Sequence, residues 1–292
     1  TVPQSGQGST DPKIAFLADP AHYPERPSSV EVIETHFAWV FLTDRHVYKL
    51  KKALRRAEMD YRTLKRREWG CREELRLNRR LAPSVYESVV PLVRRSDGRL
   101  ALGGDGRIVD WLVRMKRLPH RYMLDELLRR GGVSDAQLRR LMRVLSRFFA
   151  EAESVPFTPD EYVQRMQERV HTDGRDLRRR ALRLAPARVR RTFEAQGEFL
   201  RRHYGALQER ARWIVEGHGD LRPEHVWLGR PLAVIDALEF DRNLRILDPA
   251  EEVAFLALEC ERLGGPEIAQ RILTHFRAAS EACAPDAVMH FT

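Results

Sequence analysis

The chain has 292 residues, 43% of them hydrophobic, with a mean hydropathy of −0.48; this excludes a disordered chain and suits two lobes of roughly 100 to 200 residues each. No apolar run approaches the ~18 residues that a membrane helix needs, and the polar stretch 1–10 lacks a basic-then-apolar signal pattern, so a cytoplasmic protein without a membrane partner is expected. The net charge of +9 invites a nucleic-acid partner, but six of the 51 basic residues are lysine and the other 45 are arginine, a compositional bias that disfavours that inference.

Where lysine survives in so arginine-rich a chain, a compact ammonium is a candidate functional group, and three of the six stand at Lys49, Lys51 and Lys52. Cys71, Cys260 and Cys283 are far apart and form no C-x-x-C pair, so buried thiols are expected rather than a disulfide framework or a structural zinc site.

Residues 1–12 read as a flexible N-terminus, 13–19 as a short helix and 20–27 as a proline-punctuated connector. Short β-rich segments follow at 30–35, 39–43 and 46–50, with Asp44 and Arg45 at a hairpin turn. Leu64, Cys71, Leu75, Leu77 and Leu81 among many charges predict a long helix over 60–81, closed by Pro83. Strands are then predicted at 88–94, 99–102 and 108–115, the first two joined by the Asp97-Gly98 turn. From Tyr122 the pattern is helical, at 124–130, 134–154, 159–170 and 176–204, the last being one broken helix or two adjacent helices interrupted at Pro186. Two strands at 225–228 and 232–235 flank Gly229-Arg230-Pro231, and helices resume at 249–263 and 266–282. No internal repeat is visible.

The sharpest segment is Gly217-His218-Gly219-Asp220-Leu221-Arg222-Pro223-Glu224-His225-Val226, followed after the hairpin by Val234-Ile235-Asp236. Taken singly, Asp220 reads as a turn cap and Asp236 as a strand end. As a pair they supply the two carboxylate roles of phosphoryl transfer, one near the acceptor hydroxyl and one holding a metal against nucleotide phosphates.

His218-Gly219-Asp220 with Ile235-Asp236 resembles the aminoglycoside phosphotransferase branch of the kinase-like superfamily. The resemblance extends through 34–42 (Glu34 to Leu42), 47–52 (Val47 to Lys52) and 73–83 (Glu73 to Pro83), segments similar to an uncharacterised bacterial group of that family. Some members of that group are fused to a P-loop ATP-binding domain, and no P-loop motif occurs in this chain. The resemblance implies an α+β, bilobal protein-kinase-like fold. A small N-terminal β-sheet lobe with one long helix, 13–117, binds nucleotide; a larger, mostly helical C-terminal lobe, 118–292, carries the catalytic loop and the acceptor site. It also implies an ATP-dependent phosphotransferase acting on a small-molecule acceptor, with ATP or GTP and Mg2+ or Mn2+ as cofactors.

Carried over residue by residue, the resemblance makes Asp220 catalytic and Asp236 a metal ligand. It makes Lys49 the phosphate-contacting lysine with Glu74 as its ion-pair partner; Lys51 shares Lys49's strand face and Glu73 adjoins Glu74, so either assignment can slip by position. Thr35 and His36 fall in the hairpin turn that covers the phosphates in kinases, here without glycine. Met115 and Arg117 fall in the hinge whose backbone reads the base. His225 stands where the family motif has Asn: it is a metal ligand of altered preference, or Glu224 substitutes for it, or the chain binds nucleotide without turnover. Asp248-Pro249 reads as a helix start supporting the site, with Glu251 and Glu252 suited to its first turn, and His218 reads as an orienting residue. The arginine-rich stretch 175–202 is either a solvated helix face or an attractor of an anionic acceptor. The last residues, 289–292, break off where related sequences continue, so the native chain is expected to extend beyond Thr292.

Overall fold

A computed structural model of the chain describes residues 11–56, 59–177 and 184–282. In chain order the elements are α1 (Pro12–Leu17), β1 (Glu31–Glu34), β2 (Ala38–Leu42), β3 (His46–Lys51), β4 (Arg55–Arg56), β5 (Met59–Asp60), α2 (Leu64–Asn78), β6 (Tyr86–Arg94), β7 (Leu100–Leu102) and β8 (Arg107–Lys116). They continue as α3 (Leu124–Arg129), α4 (Asp135–Glu151), α5 (Pro159–Leu177), α6 (Pro186–Arg202), α7 (Tyr204–Arg210), β9 (Val215–Glu216), β10 (Val226–Trp227), β11 (Ala233–Val234), β12 (Ile246–Leu247), α8 (Pro249–Arg262) and α9 (Pro266–Ala279). Two compact units result: Thr1–Met123 with His225–Asp241, and Leu124–Glu224 with Arg242–Thr292.

The first unit is built on an antiparallel sheet of order β1-β2-β3-β8-β6-β7. Side chains alternate across it with the period of two that a pleated strand imposes. Phe41, Tyr48, Leu50 and Leu112 join Ile14, Leu17 and Tyr23 on one face, while Trp111, Val113 and Met115 join Cys71 of α2 on the other. A one-residue slip of β3 would exchange those faces, so the buried pattern fixes which way Lys49 and Lys51 point. α2 starts at Thr63, whose hydroxyl accepts the Arg66 N–H at 3.3 Å.

The hairpin β10–β11 belongs to this unit, whereas the sequence suggests it as part of the second lobe. Trp227 and Ala233 pack into the same apolar cluster as Val113 and Met115, Met123 bridges Trp227, and the Val234 N–H donates to the Leu81 carbonyl. Burying that aromatic surface outweighs chain proximity to the helices on either side.

The second unit is mostly helical. α9 packs on α4 and α8, and α5 packs on α6 and α7. Phe149 and Phe276 meet edge to face with ring centroids 6.5 Å apart. Ser134 and Gln137 form a reciprocal capping box at the start of α4. The two units thus have the α+β make-up expected of a kinase-like chain: a small sheet with one long helix, then helices.

Several details depart from the expectation. Pro186 begins α6 at its first position, where its missing N–H costs nothing, so of the two forms expected for 176–204 the part from Pro186 on is a helix of its own. α5 runs on to Leu177, α7 is a separate short helix, and the two-residue ladders β4–β5 and β9–β12 are too short to carry an alternating pattern. Of the 1–12 stretch only Asp11 and Pro12 are described, and Asp11 caps α1 by accepting the Lys13 N–H at 2.8 Å. Residues 1–10, 178–183 within the arginine-rich stretch, and 283–292 with Cys283 lie outside the described residues. Cys71 and Cys260 are buried thiols, as expected, and burial pushes each up to about 12. Among the described residues no helix is long and apolar enough to cross a membrane.

Candidate active site

In the first unit, three distant parts of the chain converge on one ammonium. Lys49 projects from the middle of β3, which lies between β2 and β8. Its Nζ is 2.6 Å from Asp236 Oδ1 and 3.0 Å from Glu74 Oε1. Glu74 is wholly buried on α2, whereas Glu73 turns outward to Arg76, so the inward helix face selects Glu74. Lys51 points the same way as Lys49, with its Nζ 2.6 Å from Glu74 Oε2 and in contact with Glu239 Oε1. Its side chain is 2% exposed against 18% for Lys49, which leaves Lys49 as the lysine with access to a ligand.

Asp236 stands two residues beyond the end of β11. Its φ of 64° is in the left-handed region, which costs an L-residue roughly 1–2 kcal/mol and is tolerated best by Asn and Asp. The turn is held from two sides: the Asp236 N–H donates to the Tyr86 hydroxyl at 3.1 Å, and the Ala237 N–H to Asn78 Oδ1 at 2.9 Å. The β10–β11 pairing also returns the chain beside His225, whose Nε2 is 3.7 Å from Asp236 Oδ2. Burial alone would push the Asp236 carboxyl up; Lys49 and then His225 outweigh it and hold it far below the usual carboxylate range. Burial likewise pulls Lys49 and Lys51 down, but the carboxylates around them leave both well above the ordinary lysine value. Two lysines against Glu74, Asp236 and Glu239 give the cluster a net charge of −1.

That donor set suits a cation brought in with a nucleotide. Among the described residues no group of three or more His, Cys, Asp or Glu is arranged to hold a metal ion. Magnesium, however, is commonly bound through one or two carboxylates plus substrate phosphates. The ionised Asp236 side chain, 43% exposed, is such a carboxylate, and the imidazole of His225 beside it is a softer donor that suits manganese.

The other first-unit candidates have local partners. Thr35 closes the β1–β2 turn: its hydroxyl donates to the Ala38 carbonyl at 2.9 Å and accepts the Ala38 N–H at 3.0 Å. Lys52 Nζ donates to the Thr35 carbonyl at 2.6 Å. His36 lies next in that turn, and Phe37 beyond it faces Phe240 with centroids 6.5 Å apart. The Met115 side chain is buried in the core, and Arg117 gives its N–H to the Arg45 carbonyl and its guanidinium to the Thr43 carbonyl, each at 2.8 Å.

In the second unit the Asp220 loop is shaped by its backbone. β9 pairs with β12, and the Gly217 N–H donates to the Arg245 carbonyl at 2.7 Å. Glu252 on α8 accepts the His218 N–H and the Gly219 N–H with its two oxygens. Gly219 adopts a φ of 87°, which only glycine takes without strain. The Asp220 N–H donates to His218 Nδ1 at 3.3 Å, so the buried His218 orients the loop, with Nδ1 as the acceptor. Asp248 caps α8 through the Ala250 N–H and takes a bidentate pair from Arg210 at 2.7 Å. Glu224 pairs with Arg222 at 3.1 Å.

Sequence reasoning did not single out Glu239, Tyr61, Tyr86 or Asn78, and it read Glu252 only as a first-turn residue. Glu239 carried one usable signal, a lone carboxylate in the apolar run Ala237-Leu238-Glu239-Phe240. The others depend on register and packing.

No protein-family model matches the chain. Uncharacterised proteins of Mycobacterium tuberculosis and Mycobacterium bovis are 30% identical to it over 268 residues, 90% of this chain and 52% of theirs. The chain therefore spans about half the length of the curated relatives it matches. Among solved structures, a glucosamine kinase in complex with glucosamine, ADP and inorganic phosphate is similar at TM-score 0.48 and 12% identity, covering 98% of this chain and 77% of that one. The aminoglycoside phosphotransferase APH(3'')-Id from Streptomyces rimosus is similar at TM-score 0.45 and 15% identity, covering 89% of this chain and 88% of that one.

Proposed function

We propose that the chain is a phosphotransferase that moves the γ-phosphoryl group of ATP or GTP to a hydroxyl of a small-molecule acceptor. The observation that carries this reading is the cluster of Lys49, Glu74 and Asp236, three residues distant in sequence whose charges meet within 3.0 Å. Lys49 would pair with the nucleotide phosphates while Glu74 holds its ammonium in place, and Asp236, with His225 beside it, would ligate the metal. A bound Mg2+ or Mn2+ would supply screening of the phosphate charge. Asp220 would accept the proton of the acceptor hydroxyl as its oxygen bonds to phosphorus and the bond to the nucleoside diphosphate breaks. With a net charge of +9, the chain suits an anionic acceptor better than a polycationic one.

The test is calorimetric titration of ATP and GTP, first with magnesium and then with manganese, into wild type and Asp236→Asn. Metal-dependent binding that the variant loses is the expected result; no binding with either metal overturns the reading. A second reading, nucleotide binding without turnover, is favoured by one observation: an imidazole beside Asp236 where the resemblance leads one to expect an amide. Metal-dependent binding with no phosphoryl transfer to water or to any acceptor in a screen of sugars, amino alcohols and sugar phosphates selects it.

A further inference from the structure

Glu74 carries two lysines, and the second reaches past it. Lys51 Nζ contacts Glu74 on one side and Glu239 Oε1 on the other, and the Tyr61 hydroxyl donates to that same Glu239 oxygen at 2.8 Å. The Tyr61 ring lies 5.0 Å from the ammonium and closes a further side. An ammonium buried this deeply is costly unless its partners hold it in good geometry.

Gly70 makes room for the arrangement. It stands inside α2, where glycine is about 1 kcal/mol worse than alanine. A Cβ there would lie 2.6 Å from Tyr61 Cε1 and 3.1 Å from Lys51 Cε.

Glu239 stands three residues after Asp236, at the far end of the turn whose near end is tied by Tyr86 and Asn78. Asp236 occupies a left-handed conformation, and such conformations persist where the surroundings over-determine them. One present tie of its carboxylate, Lys49, is the group that would turn to a nucleotide phosphate. When Lys49 does so, the contact between Lys51 and Glu239 still joins the turn to an interior strand of the sheet.

We propose that Lys51, Glu239 and Tyr61 form a strap that positions the Asp236 turn against the sheet and so sets the Asp236 carboxylate for a metal–nucleotide ligand. The inference rests on the phosphotransferase reading above. All three are positioning residues that act through Asp236.

The test is titration of ATP into the full chain, once with magnesium chloride and once with EDTA, read by calorimetry beside thermal melts. Wild type is expected to bind ATP about ten-fold or more tightly with magnesium, and Lys51→Met and Glu239→Gln to retain a gain of about three-fold or less, with affinity in EDTA within about two-fold of wild type. Tyr61→Phe keeps the ring and removes one hydroxyl, so it folds even if Lys51→Met does not; it is expected to lower the magnesium gain about two-fold. A full magnesium gain in Glu239→Gln and Tyr61→Phe, with only the melting temperature reduced, overturns the strap and leaves a support of the fold. No magnesium gain in wild type overturns the phosphotransferase reading and the strap with it.

Discussion

Glu252 accepts the His218 N–H at 3.1 Å from the first turn of α8, and its other oxygen takes the N–H of Gly219. A helix N-terminus favours a carboxylate, so α8 stabilises the charge that shapes the Asp220 loop. Glu252→Ala leaves two loop amides without this acceptor and is expected to cost about 3 kcal/mol. Urea unfolding measures this; a loss below about 0.5 kcal/mol, the range of an ordinary surface change, would contradict the role given to Glu252.

Asp220→Asn keeps the shape of the side chain and removes its basicity. Phosphoryl transfer is expected to fall by about 100-fold or more, since a general base contributes about that much, with ATP affinity within about two-fold of wild type. Steady-state rates beside calorimetric titration separate the two effects. Near-normal turnover would remove Asp220 from the proposed chemistry.

Gly70→Ala sets two physical effects against each other. The helix gains about 1 kcal/mol of intrinsic propensity, but the new methyl must displace Tyr61 or Lys51, and overpacking of this kind typically costs about 1–3 kcal/mol. A net loss is expected in thermal melts. A variant more stable than wild type would mean that the Tyr61 ring moves aside freely.

Burial alone would raise the Glu239 carboxyl; Lys51 and then Lys49 outweigh it and hold it below its ordinary value of 4.5. A carboxyl lowered on folding contributes stability that is fully present above the unfolded value and is lost as pH falls through the folded one. The difference in melting temperature between wild type and Glu239→Gln is therefore expected to be greatest near neutrality and to shrink below about pH 4. A difference that stays constant down to about pH 3 would show that the charge on Glu239 is not what stabilises the turn.

The first unit is largely legible in the sequence because its strands are short runs rich in β-branched and aromatic residues bounded by turn signals, and its long helix has a cap, apolar residues among its charges and a proline beyond it. β10 and β11 are legible as strands, but the unit they join is decided by where Trp227 and Ala233 find apolar partners. The candidate site divides in the same way. Residue types and spacing bring Asp220 and Asp236 into view, the scarcity of lysine marks Lys49 together with Lys51 and Lys52, and Glu74 comes from the resemblance alone. Whether Glu73 or Glu74 turns inward, and which lysine keeps access, depends on helix phase and strand register, which the structure supplies. Glu252 and Tyr86 act across 34 and 150 residues of chain, distances at which no local pattern forms.

Two N–H groups of the β1–β2 turn, those of Phe37 and Ala38, already point at the Thr35 hydroxyl. In a glycine-rich turn such amides form a neutral, dipolar cradle for phosphate oxygens. Here the hold on a triphosphate would fall mainly to the full charge of Lys49. Attraction between full charges weakens as mobile ions screen it, with a Debye length of about 10 Å at 0.1 M. On the proposed reading, ionic strength would therefore act on the approach of a nucleotide more than on its closed contact with Lys49, whose side chain is 18% exposed, beside a turn that gives two of its amides to its own threonine.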